Sequence, residues 1–261
     1  MTATVNRSVF RAFALLKAFR SSDEWVTVAE LGRRAGIAEA SAYRFIQTLV
    51  EIGAVVRGPH ARIRPGMVLV SLSQHVVVGE VLKEAAHAIL SDLASRLDVT
   101  MNLACLQGGM VTYVAKVGTS TSIPTYPVPN GQFEPYYSAL GKVLLAALSS
   151  EELDAILSDG ELVPLTPFTI VDRNALRATI EDVRRFGFAI DNRESRNDIC
   201  CVAVPVYDPS GIIIAAMSAA DYAQRMNYTR QSEIRSALLE AAVALTQRVF
   251  PNRLPKRAAT F

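Results

Sequence analysis

The chain has 261 residues, half of them apolar, with 27 Lys and Arg against 25 Asp and Glu and three cysteines that form no C-x-x-C pair. These figures allow one large domain or two of ordinary size and argue against a disulfide framework or a zinc site. No stretch approaches the roughly 18 to 20 apolar residues of a membrane span, and no apolar signal core opens the chain, so a cytoplasmic protein with no membrane partner is expected.

The net charge of +2 conceals an asymmetry: residues 1–68 hold ten Lys and Arg against five Asp and Glu, whereas the remainder holds seventeen against twenty. A basic head on a slightly acidic body is the pattern of a nucleic-acid-binding module joined to something else.

In chain order, RSVFRAFALLKAFR (7–20) puts Val9, Phe13, Leu16 and, one turn on, Phe19 or Arg20 on helical spacing, predicting a first helix that covers the next two. Trp25 falls at a staple position just before Thr27, where core packing suits it better than base stacking. Thr27 and Glu30 have the spacing of a capping box that opens a short helix over 28–35, and Gly36 comes next, where a left-handed residue is wanted. A second helix is predicted over 39–52, with Ala42, Phe45, Ile46, Leu49 and Ile52 on one stripe and Ser41, Tyr43, Arg44 and Gln47 on the other face.

Two helices joined by so short a turn make a helix-turn-helix, although plain α bundles contain such pairs too. A predicted hairpin comes after them, with strands over 54–57 and 61–64 around Gly58-Pro59-His60. Arg57, Arg62 and Arg64, with His60 at the tip, put more charge on this small hairpin than packing requires, whereas a phosphate backbone rewards it. The domain boundaries expected are 1–66 for a winged DNA-binding head, 67–79 for a linker helix with Gly79 as its joint, 80–252 for a second domain and 253–261 for a frayed tail.

The second domain is predicted to begin with an amphipathic helix over 80–97, then two strands, VTMNLACL and MVTYVAKV, around a Gly-Gly turn. The stretch 118–133 is polar, Pro-rich and long for a loop, and such loops tend to be functional. SALGKVLLAAL reads as a helix from Ser138, Ser149 to Glu152 as a capping box, and Asp172 as the cap of a helix ending near Gly187. FGFAIDNRES, DICCVAVPVYD and IIIAAMSAAD read as strands, and a helix over 230–250 closes the domain. The expected architecture is α+β, a sheet packed on one side by helices. His75 and His87 stand twelve positions apart with no third ligand, so no metal is expected; no nucleotide or dinucleotide fingerprint points to a cofactor.

At these blocks the chain resembles the IclR family of bacterial transcription regulators: the winged helix with ASAYR, then YSALGKVLLAALSSEE, then FGFAIDNRESRNDICCVAVPVYDPSGIIIAAMSAA. The resemblance implies a winged helix-turn-helix, a linker helix and a GAF-like mixed α/β effector domain with an antiparallel sheet. It also implies homodimers, often paired into tetramers, on a palindromic double-stranded operator, regulating a catabolic or efflux operon in response to a small organic acid or aromatic effector. For the effector it points to Ala139 and Leu140 at a helix start, Asp191, Cys201 and Ser218. Free N–H groups at a helix start suit a carboxylate. The family's second Ser of the last motif is Ala220 here. Thr125, Tyr126 and Phe133 belong to the long loop, and the rings of Tyr126 and Phe133 suit the wall of a flat ligand.

Other readings stand beside these. Asp191 suits a turn residue paired with Arg193 or Arg196, Cys201 a buried core thiol, and Ser218 a backbone bond. In the head, Ser41, Tyr43, Arg44 and Gln47 are expected at the groove, with Arg33, Arg34 and the wing arginines positioning the protein on phosphates. A regulator is expected rather than an enzyme or an architectural DNA-binding protein, because three scattered histidines supply no evident base and the second domain is large.

Overall fold

A computed structural model describes residues 6–20, 24–123 and 131–251. The chain divides into one compact unit ending at Val77 and a second beginning at Val78.

The first unit opens with α1 (Arg7–Leu16), capped by the Asn6 side chain. Its buried side differs from the predicted stripe. Leu15 is fully buried with Ala12, Leu16 and Phe19 packed beside it, whereas Val9 and Phe13 are more than half exposed. Burying Leu15 is worth about 1.5 to 3 kcal/mol. Helices α2 (Val28–Ala35) and α3 (Glu39–Glu51) meet at Gly36, whose φ of 67° is the left-handed turn that a side chain with a Cβ resists. Thr27 caps α2, but the Glu30 carboxylate does not reach back to it and pairs with Arg33 and Arg34 instead.

Strands β1 (Val55–Arg57) and β2 (Ile63–Pro65) pair antiparallel, with Arg57 opposite Ile63. The second strand starts two residues later than predicted, because residues 59–61 form a tight turn with His60 and Ala61 at positive φ. Val26 adds a short third rung, exchanging both backbone bonds with Ile63. Helix α4 (Met67–Ser73) comes next.

The second unit starts with α5 (Val78–Leu97). Gly79 lies inside this helix, so it is not the joint expected of it; the break falls at 74–77. Among the described residues six strands come after it, interleaved with helices: β3 (Thr100–Gln107), β4 (Met110–Val117), β5 (Gln132–Phe133), β6 (Ala189–Asn192), β7 (Ile199–Tyr207) and β8 (Ile213–Tyr222). They form one antiparallel sheet in the order β5-β4-β3-β8-β7-β6. The turn between β3 and β4 has Gly108 and Gly109 at positive φ, as a two-residue hairpin needs.

Helices cover both faces, correcting the one-sided packing expected. On one face Met101, Leu103, Val202, Val204 and Met217 share a core with α5 and the long closing helix α9 (Tyr228–Val249). On the other, Ala104, Ala203 and Ala216 pack against Val143 and Leu144 of α6 (Ala139–Leu145). Helices α7 (Ser150–Ser158), with the full capping box of Ser149 and Glu152, and α8 (Arg173–Phe186), capped by Asp172, frame a smaller cluster beside α6.

Gly141 shows how tightly α6 is seated. A Cβ there would overlap the carbonyl oxygen and the Cα of Pro135. Backbone cannot give way as a flexible side chain does, so Gly141→Ala is expected to cost about 1 to 3 kcal/mol despite alanine's better helix propensity. Thermal unfolding of the full chain measures it, and an unchanged or raised midpoint would show that α6 has slack.

Candidate functional site

Two regions gather the residues singled out from the sequence. In the first unit, α3 turns Ala42, Ile46 and Leu49 into the core and leaves Tyr43, Arg44 and Gln47 exposed, with Ser41 half-buried at the same end. Successive turns of one helix place 41, 44 and 47 along a single face. Arg44 forms no ion pair among the described residues.

The two arginines of α2 differ from each other. Arg33 is exposed and pairs with Glu30 at 2.6 Å. Arg34 is largely covered and holds Glu30 at 2.8 Å and Glu24 at 2.7 Å, with a further bond to the Ala18 carbonyl. Its guanidinium is a brace between α2 and the segment after α1, which corrects its expected place on phosphate.

On the wing, Arg57 and His60 are exposed. Arg62 donates to the Trp25 carbonyl at 3.3 Å, and the Arg64 guanidinium lies 4.9 Å from the centre of the Trp25 ring. Trp25 therefore aims two of the wing arginines, a role its expected staple position did not announce.

In the second unit, a cavity of about 380 Å³ opens between the α6 face of the sheet and the N-terminal end of α6. Phe133, Ala139, Leu140, Asp191, Cys201 and Ser218 all line it. Thr125 and Tyr126 lie outside the described residues. Adjacent cysteines face opposite ways, as strand alternation requires: Cys200 joins the helix-packed core and Cys201 the cavity.

Asp191 is buried and pairs with neither arginine. Its Oδ1 accepts from the Glu194 N–H at 2.7 Å and its Oδ2 from the Ser195 hydroxyl at 2.6 Å. Arg193 lies over the Phe168 ring, and Arg196 binds Asp198 at 2.9 Å. Burial raises the Asp191 carboxyl above its usual range against the opposing pull of those hydrogen bonds. Burial, with Asp191 nearby, pushes the Cys201 thiol well up, so it stays a neutral thiol and not a nucleophile.

Sequence reasoning missed Thr100, Asn102, Tyr113, Lys116 and Arg196 on the cavity wall. Tyr113, Phe133 and Tyr137 stand in a row, ring centres 5.1 and 5.9 Å apart. Burial raises the Tyr113 phenol, which keeps it a neutral hydroxyl at physiological pH. Two residues before Thr100, Asp98 accepts from the hydroxyls of Thr121 and Thr119 and from Arg225 at 3.0 Å; those bonds lower its pKa to about 2. Thr100 donates to the Ile123 carbonyl at 3.1 Å, joining two residues of the cavity wall.

A winged helix-turn-helix with a basic wing, joined to a sheet domain that encloses a polar cavity of ligand size, defines a ligand-responsive transcription regulator. The chain belongs to the IclR family of bacterial transcriptional regulators: the IclR helix-turn-helix domain matches residues 8–59, and the bacterial transcriptional regulator IclR C-terminal domain matches 74–247. It is 30% identical to the transcriptional regulator KdgR of Escherichia coli over 237 residues, covering 90% of this chain and 89% of that one. It is 28% identical to XynR of the same organism over 243 residues, covering 92% and 96%. The crystal structure of Thermotoga maritima IclR matches with a TM-score of 0.62 at 29% identity, covering 93% of this chain and 98% of that one. These relatives are regulators, and none is named as an enzyme.

Proposed function

We propose that this chain acts in the cytoplasm as a homodimer that lays α3 of each protomer in the major groove of a palindromic operator, and that an organic acid or aromatic metabolite in the α6 cavity sets its operator affinity. The observation that carries the effector half is the convergence of Asp191, Cys201 and Ser218 on one ligand-sized cavity. Ser41, Tyr43, Arg44 and Gln47 are assigned to base edges and phosphates, and Arg33, Arg57, His60, Arg62 and Arg64 to the backbone. The dimer is supported by apolar side chains that the first unit leaves in solvent: Val9 and Phe13 of α1, and Met67, Val70 and Leu72 of α4. A two-fold dimer matches an operator of two inverted half-sites. Among the described residues no helix is long and apolar enough to cross a membrane.

Fluorescence anisotropy with the intergenic DNA upstream of the protein's own gene, at two salt concentrations, tests this reading. The expected result is saturable, salt-sensitive binding that one acid or aromatic compound changes by about 5- to 150-fold, the usual span of allosteric coupling. Specific binding that no compound alters would remove the effector role from the cavity. No binding at low salt would remove α3 from the groove.

A further inference from the structure

The cavity floor carries more polarity than the family-implied residues account for, and strand register arranges it in rows. Lys116 on β4 stands opposite Asn102 on β3, which stands opposite Ser218 on β8. The next row toward β6 runs Thr100, Ala220, Cys201 and Asp191. A register shift between Leu103 and Ala104 sets Asn102 against Lys116 but Ala104 against Tyr113. That bulge brings both Tyr113 and Lys116, three residues apart, to the cavity side.

Two groups in the first row are left wanting a partner. Lys116 is half-buried beside the Tyr113 ring, and among the described residues no carboxylate pairs with it. The segment 124–130, Pro-Thr-Tyr-Pro-Val-Pro-Asn, holds no acidic residue either. Burial, and to a lesser degree the charge of Arg196, works against the Lys116 cation, a penalty that an anion beside it would relieve. Asn102 is 5% exposed; its Nδ2 donates to the Ser218 hydroxyl at 3.2 Å, and among the described residues its buried Oδ1 has no partner. Such an acceptor costs free energy until something donates to it.

The opposite end of the cavity offers an anion no unpaired cation among the described residues: Arg196 is held by Asp198. The Asp191 carboxyl group faces it, with both oxygens already accepting from Glu194 and Ser195. At the start of α6, the Gly141 N–H is taken by the Ser138 hydroxyl at 3.0 Å, and the backbone of Ala139 and Leu140 offers N–H dipoles rather than a full charge.

We propose that Lys116 takes the carboxylate of the effector and that Asn102 Oδ1 accepts from a hydroxyl on a neighbouring carbon, so that the effector is a hydroxy acid bound with its charged end over β3 and β4 and its neutral end toward Asp191. This rests on the reading of the cavity as the effector site, and it reverses the end to which the family resemblance assigns the carboxylate. Lys116 and Asn102 then determine specificity: the first selects acids over neutral analogues, the second hydroxylated acids over their deoxy counterparts.

Calorimetric titration of the full chain with lactate, glycerate and gluconate tests it, using propionate as the deoxy control and gluconamide as the uncharged one. Binding of at least one hydroxy acid is expected, weakened about tenfold or more by Lys116→Met and retained within a few-fold by Lys116→Arg. Gluconamide affinity is expected to be indifferent to Lys116→Met, and Asn102→Leu to erase the preference for lactate over propionate. Unfolding midpoints of the ligand-free variants show that each is folded. Equal binding of the acids to wild type and Lys116→Met would overturn the assignment while leaving the cavity as the site. Binding left unaltered both by Cys201→Phe, which intrudes on the cavity from one end, and by Lys116→Met at the other would overturn the cavity reading itself. Failure of every hydroxy acid to bind wild type would overturn the hydroxy-acid assignment.

Discussion

Arg44→Ala is expected to lower operator affinity by about 1 to 3 kcal/mol, or about 5- to 150-fold, without lowering the unfolding midpoint of the first unit. The two halves of that expectation come from opposite faces of α3. Ala42, Ile46 and Leu49 hold the helix on the core, and Arg44 contributes nothing to that contact. Its side chain is exposed and forms no ion pair among the described residues, so its charge remains available to a base edge or a phosphate. Arg34→Ala is the contrasting control: it breaks bonds to Glu24 and Glu30 and should lower the midpoint before it touches affinity. Wing position Arg57 should behave in a third way, with alanine lowering affinity on all sequences and flattening the salt dependence by about one unit. Anisotropy on the operator and on a scrambled duplex, each at two salt concentrations, separates the three. Unchanged operator affinity in Arg44→Ala would take the second helix out of the groove.

How much of the fold is legible in the sequence depends on the range of the forces involved. Caps, turns and strand alternation act over a few residues, so α2, α3, the Gly108-Gly109 hairpin and the capping box of α7 are all legible. The errors came where a distant partner decides. Val9 and Phe13 fit a helical stripe as well as Leu15 and Leu16 do, and only the position of α1 on α2 and α3 chooses between them. Arg34 belongs to a run of basic residues, but Glu24, ten positions away, claims it. Gly79 breaks an apolar run on paper, yet the helix that buries Leu82 and Ala86 extends back through it. At the site, Lys116 and Tyr113 were invisible because strict alternation assigns them to opposite faces; a single bulge overrides that rule.

Lys142→Met is expected to destabilise the second unit by about 3 to 5 kcal/mol, because it leaves a buried carboxylate uncompensated. Lys142, the last residue of the SALGK motif, is 1% exposed; its Nζ donates to Glu194 Oε1 and, at 3.2 Å, to the Ile190 carbonyl. Glu194 is 5% exposed, and among the described residues its Oε2 already lacks a partner, so removal of the ammonium leaves only the Asn192 N–H of those residues, at 3.4 Å, facing the carboxylate. For a unit of this size the loss corresponds to a midpoint lowered by about 6 to 20 °C. The double substitution Lys142→Met, Glu194→Met removes both charges and should recover most of that loss, as apolar replacements of buried ion pairs do. The consequence reaches the effector cavity because Glu194 sits in the turn that positions it. Its N–H binds Asp191, its carbonyl accepts from Thr169 at 2.7 Å, and Ser195 and Arg196 come next on the cavity wall. The double variant therefore separates stability from recognition. If it regains the midpoint but binds acids weakly, the ion pair fixes the geometry of the turn; if it regains both, the hydrogen bonds of Asp191 and Thr169 suffice. A single variant within about 1 kcal/mol of wild type would show that solvent reaches Glu194 and that the pair is not buried in solution.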